Sequence, residues 1–373
     1  SQYRVRYQEG NYNDIVTVPL IFFGQPEPSL FNPFAWLRTI ISNEFQLLKP
    51  YPYDVVVVEI GTDMPGQIAA FKKYLHCDIA VVTALTMEHM ENFRDLDHVA
   101  SEELAVARYA DVVIANFDLC SEEHLRLAKK TVLGYGKSAG QYRLRDITFG
   151  RADSSMTLVM HERQELHVRL DAVAIGEFYS AAAAAAVADV MHVPGDKIAA
   201  ALEKLKPVSG RMQRLAGIED SLILDESYNA SPAAVKAALD GLYMLKGQQK
   251  IALLGNMNEL GEFSADAHRE IGEYCDPAQL DLVVTLGPDA NTYLAPAAEA
   301  RGCVVAQFTD PYTAGDYIKD QLKPGAIILV KGSQNNVYAE EAIKPLLASK
   351  ADEVKLVRQS EAWLKKKQEN FSA

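Results

Sequence analysis

Three runs of β-branched residues, Asp54–Ile60 (DVVVVEI), Ile79–Thr83 (IAVVT) and Asp111–Ala115 (DVVIA), are separated from one another by sequence of helical character. Continuous apolar runs, unlike alternating ones, mark strands covered on both faces, the condition of parallel sheets flanked by helices. The same rhythm resumes at Leu222–Asp225, Lys250–Gly255, Asp281–Leu286, Cys303–Phe308 and Ala326–Lys331. The predicted fold class is therefore α/β. A central, mostly parallel-sheet domain is expected over residues 1–206 and a Rossmann-like domain over 207–348, followed by a charged helical tail over 349–373. Lys206–Gly210 (KPVSG) is the expected linker.

Between these runs, Tyr3, Val5 and Tyr7 alternate with polar residues and predict an opening strand; Gly10–Asp14 is a polar loop ending at Val18-Pro19-Leu20. Phe34–Leu48 predicts a helix with Trp36, Leu37, Ile40, Ile41, Phe45 and Leu48 as its apolar set. Met156–Met160 and Glu165–Leu170 predict a small antiparallel addition, and Ser180–Val190 an alanine-rich helix lying close on a sheet. The tail, with Val354, Val357, Trp363 and Leu364 near one face, is expected to be a surface or packing element.

With 49% hydrophobic residues, the 373-residue chain has the apolar content for substantial cores. Its net charge of −13 argues against a nucleic-acid surface while allowing a local basic phosphate pocket. No apolar run approaches the ~20 residues of a membrane span. The four cysteines, Cys77, Cys120, Cys275 and Cys303, form no CxxC pair and fit a reducing cytoplasm.

Chemistry is most concentrated in Ser221–Leu239 (SLILDESYNASPAAVKAAL). A short apolar strand delivers Asp225 and Glu226 into a polar turn, and Ser231-Pro232 then reads as the N-cap and first position of a helix. Carboxyl ends of strands and amino ends of helices are where open α/β sheets bind ligands. Spacing alone leaves open a capped turn with no ligand. Glu59 and His89 follow two neighbouring strands and are candidates to share a divalent ion, with Glu102 and Glu103 as further oxygen donors; a solvated acidic face is the alternative. Gly136-Lys137-Ser138 ends like a phosphate-binding loop, but Thr131 stands where that loop needs glycine, so a turn is expected there.

Asp225–Pro232 (DESYNASP) resembles the D-D-S-Y-N-A-N-P signature of the Mur ligases, in the branch that adds D-alanyl-D-alanine to UDP-N-acetylmuramoyl-tripeptide. Gly210–Gln213 (GRMQ), Leu254–Gly261 (LGNMNELG) and Val330–Ser333 (VKGS) resemble the family's G-R-M-Q, L-G-D-M-x-E-L-G and V-K-G-S. Gly10–Asn13, Glu59–Gly61 with Pro65-Gly66, Ala80–Thr83 with His89, and Asn116–Asp118 are similar to further family segments in the same order. The resemblance runs from about residue 8 to about residue 347.

The resemblance implies an ATPase-type central domain and an ATP-dependent amide ligase of peptidoglycan precursor synthesis. It implies a cytoplasmic enzyme, expected to be a monomer, of cell-wall biogenesis, cell shape and cell division. The implied catalytic residues are His89, Glu59, Glu103 and Arg211, with Mg²⁺ held by Glu59, His89 and Glu103. ATP would be contacted by Asn116, Asp118, Ser180, Arg211, Asp225, Glu226, Tyr228 and Asn229. Asn11, Asn13, Lys331 and Ser333 would face the UDP-muramoyl peptide and D-Ala-D-Ala. Another amino-acid amide ligase of the same superfamily, or a non-catalytic relative, is the alternative.

Four departures qualify these expectations. The family's sugar-binding domain and G-x-N-G-K-T loop would precede Ser1, so a fragment is expected. Glu103, or Glu102 if the register slips, falls where the family has a lysine that is carbamylated, so a permanent carboxylate is expected to replace the carbamate. Gly176–Ser180 (GEFYS) stands in place of a histidine and an asparagine, with Ser180 at the asparagine position near adenine. Asp14–Thr17 replaces N-E-I-G, and Gln334 replaces an arginine.

Overall fold

Most of the β-branched runs are strands in the computed structural model, which describes residues 2–8, 13–29, 31–86 and 92–371. The chain divides into two units, one of residues 1–115 with 119–133, the other of residues 116–118 with 134–373.

In the first unit, β1 (Val5–Tyr7) pairs in parallel with β2 (Val55–Val57). β3 (Cys77–Val82) pairs in parallel with β4 (Ala110–Asn116), in register from Cys77↔Ala110 to Val82↔Ala115. The expected long buried strand over Asp54–Ile60 is thus only three residues, and Val57 is 54% exposed. Among the described residues its β-branched run pairs only with β1, in a two-stranded sheet. Val18-Pro19-Leu20 opens a short helix, Val18–Phe23, in place of a loop end.

The helix Pro33–Leu47 forms as the periodicity predicts, with the Asn32 side chain accepting from the Ala35 amide. Its apolar set is not a core, however: Leu37 is 54% exposed, Phe45 64% and Leu48 81%. Periodicity specifies an apolar face but not what covers it.

In the second unit, Tyr135 and Gly136 at the end of β5 (Val132–Gly136) pair with Tyr142 and Arg143 at the start of β6 (Tyr142–Phe149). β6, β7 (Ser154–Val159) and β8 (Glu165–Leu170) form the expected antiparallel meander. The alanine-rich helix Ile175–Val190 starts five residues earlier than its alanines suggest, because Glu177 supplies the cap: its carboxylate accepts from the Val173 and Ala174 amides. Ala181, Ala182, Ala185 and Ala186 are all buried, small side chains that allow close packing.

The C-terminal sheet has strand order β13-β12-β11-β14-β10-β9. β9 (Gln213–Ala216) runs antiparallel to β10 (Leu222–Glu226); β11 (Lys250–Gly255), β12 (Leu282–Leu286), β13 (Val305–Phe308) and β14 (Ile327–Lys331) are parallel to β10. Alternate residues feed two cores. Leu222, Leu224, Ala252, Leu254 and Leu329 pack on one face, Ile223, Ile251, Leu253, Ile328 and Val330 on the other. Arg214 ties this sheet to the meander, donating to Asp171 Oδ1 at 2.8 Å and to the carbonyls of Gly150 and Ala172. No helix among the described residues is long and apolar enough to cross a membrane.

Candidate functional site

β10 and β14 are neighbours in register, so Glu226 and Lys331 lie side by side at the carboxyl ends of their strands. Lys331 is 1% exposed; its ammonium donates to Glu226 Oε1 at 3.2 Å and to the Asn229 carbonyl at 2.9 Å. Burial pushes its pKa down, against the opposing pull of Glu226. Ser333, also buried, donates its hydroxyl to the Ala230 carbonyl and accepts from the Asn258 amide. V-K-G-S thereby holds the signature turn from one side.

G-R-M-Q holds it from another. The Tyr228 amide donates to the Gly210 carbonyl at 3.1 Å, and the Arg211 guanidinium stacks over the Tyr228 ring at 4.3 Å. Position 210 requires glycine: its φ is +69°, and an added Cβ would lie 2.8 Å from Val357 Cγ1 and 3.1 Å from the Tyr228 nitrogen. Ser231 is the N-cap residue and Pro232 opens the helix Pro232–Met244 as read from sequence, but the Ser231 side chain makes no cap bond.

Asp225 is fully buried. Its Oδ1 accepts from the Ser227 hydroxyl at 2.6 Å and the Ser227 amide at 3.1 Å, while Oδ2 has no hydrogen-bond partner among the described residues. Burial pushes its pKa up to about 6, with the charges of Glu340 and Glu226 adding. Glu177 is pushed up to about 7, chiefly by burial and further by Glu226, and its Oε1 is likewise unpartnered among the described residues. Lys331 thus faces Glu226 at the turn, with the raised carboxyl of Asp225 beside them and Arg211 near enough to act on the ammonium.

The structure therefore brings together Arg211, Asp225, Glu226, Tyr228, Asn229, Lys331 and Ser333. Asn116 and Asp118 form a second cluster. Asn116, fully buried, accepts the Asp118 amide on Oδ1 and leaves Nδ2 without a partner among the described residues. Asp118 accepts the amides of Lys137 and Ser138 and the Tyr179 hydroxyl. Burial raises its pKa, but those bonds outweigh it and hold the carboxyl below its ordinary value. The Gly136–Ser138 segment is accordingly a turn whose amides are used within the fold. Ser180 is exposed and donates to the Gly176 carbonyl.

In the first unit, Glu59 is exposed beyond the end of β2 and accepts the Asn13 side-chain amide at 3.2 Å. That corrects the expectation of a carboxylate closing a buried strand. Both oxygens of buried Glu102 are taken by the amides of Gly66 and Ile68, at 2.7 Å each, at the start of the helix Gln67–Phe71. Glu103 is half-buried. Asn11 and His89 lie outside the described residues.

Sequence reasoning missed Glu177, Glu340 and Arg358. Arg358 donates to the carbonyls of Ser227 (2.6 Å) and Tyr228 (3.0 Å) and pairs with Glu340. A mixed-charge tail gives no signal for such a contact. Glu177 carried a weak one, a glutamate three residues into a helix, where caps sit.

Profiles of the Mur ligase middle domain and of the Mur ligase glutamate ligase domain match residues 40–188 and 210–334. The chain belongs to the Mur ligase family. It is similar to the UDP-N-acetylmuramoyl-tripeptide–D-alanyl-D-alanine ligase of Bacillus subtilis, with 24% identity over 94% of this chain and 71% of the relative. The Escherichia coli enzyme of the same name is 27% identical over 83% of this chain and 69% of its own length. In fold, the chain is similar to MurF ligase from Thermotoga maritima in complex with ADP (TM-score 0.75, 22% identity, 95% of this chain and 74% of that one).

Proposed function

We propose that this chain is the catalytic core of an ATP-dependent amide ligase that joins D-alanyl-D-alanine to UDP-N-acetylmuramoyl-tripeptide in peptidoglycan precursor synthesis, in the cytoplasm. The observation that carries the reading is the convergence of three separated segments, Gly210-Arg211, Lys331–Ser333 and the turn Asp225–Ser231, on one another in the second unit. That the Bacillus subtilis ligase aligns with 94% of the chain supports the substrate pair.

ATP would supply the phosphoryl group that turns the tripeptide carboxylate into an acyl phosphate. The dipeptide amine then attacks that carbonyl carbon, loses a proton and expels phosphate. The residues present suit a nucleotide. Arg211 is exposed, its guanidinium oriented by the Tyr228 ring, and offers a fixed positive charge to phosphate oxygens. The unpartnered Asp225 Oδ2 is an acceptor for a ligand hydroxyl or amine. Lys331 and Ser333 hold the turn's carbonyls, which fixes the planes of its peptides. The implied Mg²⁺ is a different matter: among the described residues no group of three His, Cys, Asp or Glu side chains could hold a metal ion, so no step is assigned to it.

The test is product formation. ADP release is expected only when ATP, the UDP-muramoyl tripeptide and D-Ala-D-Ala are all present, with a product heavier than the tripeptide by the dipeptide less water. Ligation of another amino acid in preference would move the chain elsewhere in the family. Arg211→Ala is expected to raise KM for ATP about tenfold or more, the worth of a charged hydrogen bond.

Glu103 is proposed as the carboxylate standing in the family's carbamylated-lysine position, since Glu102 is committed to two backbone amides. Glu102→Gln should cost about 1–3 kcal/mol by leaving a buried amide unmatched, with turnover retained per folded molecule. Glu103→Gln should instead lower turnover per folded molecule at least about tenfold. The opposite pattern would exchange the two roles.

A further inference from the structure

We propose that Arg358, in the charged segment before the last helix, is a positioning residue for the signature turn, so that the tail is part of the ligand site. This deepens the reading above, on which that turn serves the nucleotide.

Four consecutive carbonyls of the turn are held by side chains from outside it: Ser227 and Tyr228 by Arg358, Asn229 by Lys331 and Ala230 by Ser333. Arg358 alone holds two, through different nitrogens. Its side chain is 7% exposed, and Nε and Nη2 form a two-bond fork to Glu340 at 2.8 and 2.7 Å. The fork fixes the guanidinium plane, and the plane fixes where Nη1 and Nη2 point.

The tail's own backbone is committed to this aim. Arg358 has φ +56°, in the left-handed region that non-glycine residues seldom occupy. Its carbonyl accepts from the fully buried Lys367 ammonium, which also pairs with Glu340 and Glu341. The preceding Val357 packs against Gly210, whose carbonyl receives the Tyr228 amide. Tyr228 is thus fixed at its amide by Gly210, at its carbonyl by Arg358 and at its ring by Arg211. A planar trans peptide turns its N–H opposite its C=O, so drawing the carbonyls toward Arg358, Lys331 and Ser333 sends the intervening amides the other way.

Hydrogen–deuterium exchange on the whole chain tests this without ligand. Arg358→Lys keeps the charge but loses the fork, and should speed exchange of the Ser227 and Tyr228 amides, which donate to Asp225 Oδ1 and to the Gly210 carbonyl, about tenfold while leaving Lys250–Gly255 unchanged. Arg358→Ala should do the same, and millimolar free guanidinium should restore protection in it. With an active wild type, Arg358→Lys should raise KM for ATP about tenfold, with guanidinium rescue in the alanine variant. If Arg358→Ala fails to fold, the lysine variant alone decides. Equal loss of protection in Lys250–Gly255 would reduce Arg358 to general scaffolding and overturn the proposal. So would an active wild type whose lysine variant keeps both kinetic constants. A wild type that does not join D-Ala-D-Ala to the UDP-muramoyl tripeptide sinks the proposed reaction, and the exchange result at the turn then stands or fails by itself.

Discussion

Replacing Lys367 by methionine is expected to lower the stability of the docked tail by about 3–5 kcal/mol, the usual consequence of removing one partner from a buried ion network. Lys367 is fully buried, and its ammonium lies 2.8 Å from Glu340 Oε1 and 2.7 Å from Glu341 Oε1. Glu340 is 0% exposed and Glu341 1%. Arg358 and Lys344 stay paired with these carboxylates, which is why the loss should not exceed that range. The protein can relieve the strain locally by releasing the helix Glu361–Phe371, which ends the described chain. Trp363, 6.3 Å from the Tyr338 ring and one of only two tryptophans, reports that release directly. In a Trp36→Phe background, its fluorescence should shift red at lower urea in Lys367→Met than in the parent. Adding Glu341→Gln should recover part of the loss, since the second change removes a charge the first left uncompensated. A loss below about 1 kcal/mol, or strictly additive variants, would mean the ammonium is solvated when the tail docks.

That network also marks where sequence stops informing. Lys250–Gly255 and Glu165–Leu170 were legible to the residue: the first is a short apolar run bounded by Lys250 and Gly255 in step with the neighbouring strand runs, the second a strict alternation. The signature turn was legible because its chemistry is contiguous. Failures arose where the outcome depended on partners far along the chain. Asp54–Ile60 has the composition of a central strand, yet pairs with a three-residue neighbour. Leu37, Ile41 and Phe45 have helical spacing, yet are exposed. Glu340, Glu341, Arg358 and Lys367 read as ordinary surface charge. They become a buried cluster only once the last helix folds back on Ala339–Leu346, a pairing no periodicity encodes.

Asp225→Asn should stabilise the protein at pH 8 while disabling it. The Asp225 pKa moves from 3.8 to about 6 on folding, chiefly through burial. Below pH 4 both folded and unfolded chains carry the proton and the shift contributes nothing. Between pH 4 and 6 the folded chain holds a proton that the unfolded chain has released, so stability falls as pH rises; above 6 the whole penalty is present. A shift of that size corresponds to roughly 3 kcal/mol, an upper figure. Glu177, raised from 4.5 to about 7, adds a second penalty over a window reaching neutrality. Other carboxylates, Asp118 and Glu341 among them, have lowered values and work in the opposite sense. The measurement is therefore the difference between variant and parent in urea midpoint from pH 4 to 8, not the parent's profile. Asparagine keeps the Oδ1 acceptor for Ser227, and its amide gains a candidate acceptor in buried Gln213 Oε1, on the residue paired across the strands and unpartnered among the described residues. The expected gain grows from near zero at pH 4 toward a few kcal/mol at pH 8, with turnover down about tenfold or more. A structural carboxylate would show loss on both counts. Gain of stability with loss of turnover is the mark of a charge kept at cost, because the ligand, not the fold, requires it.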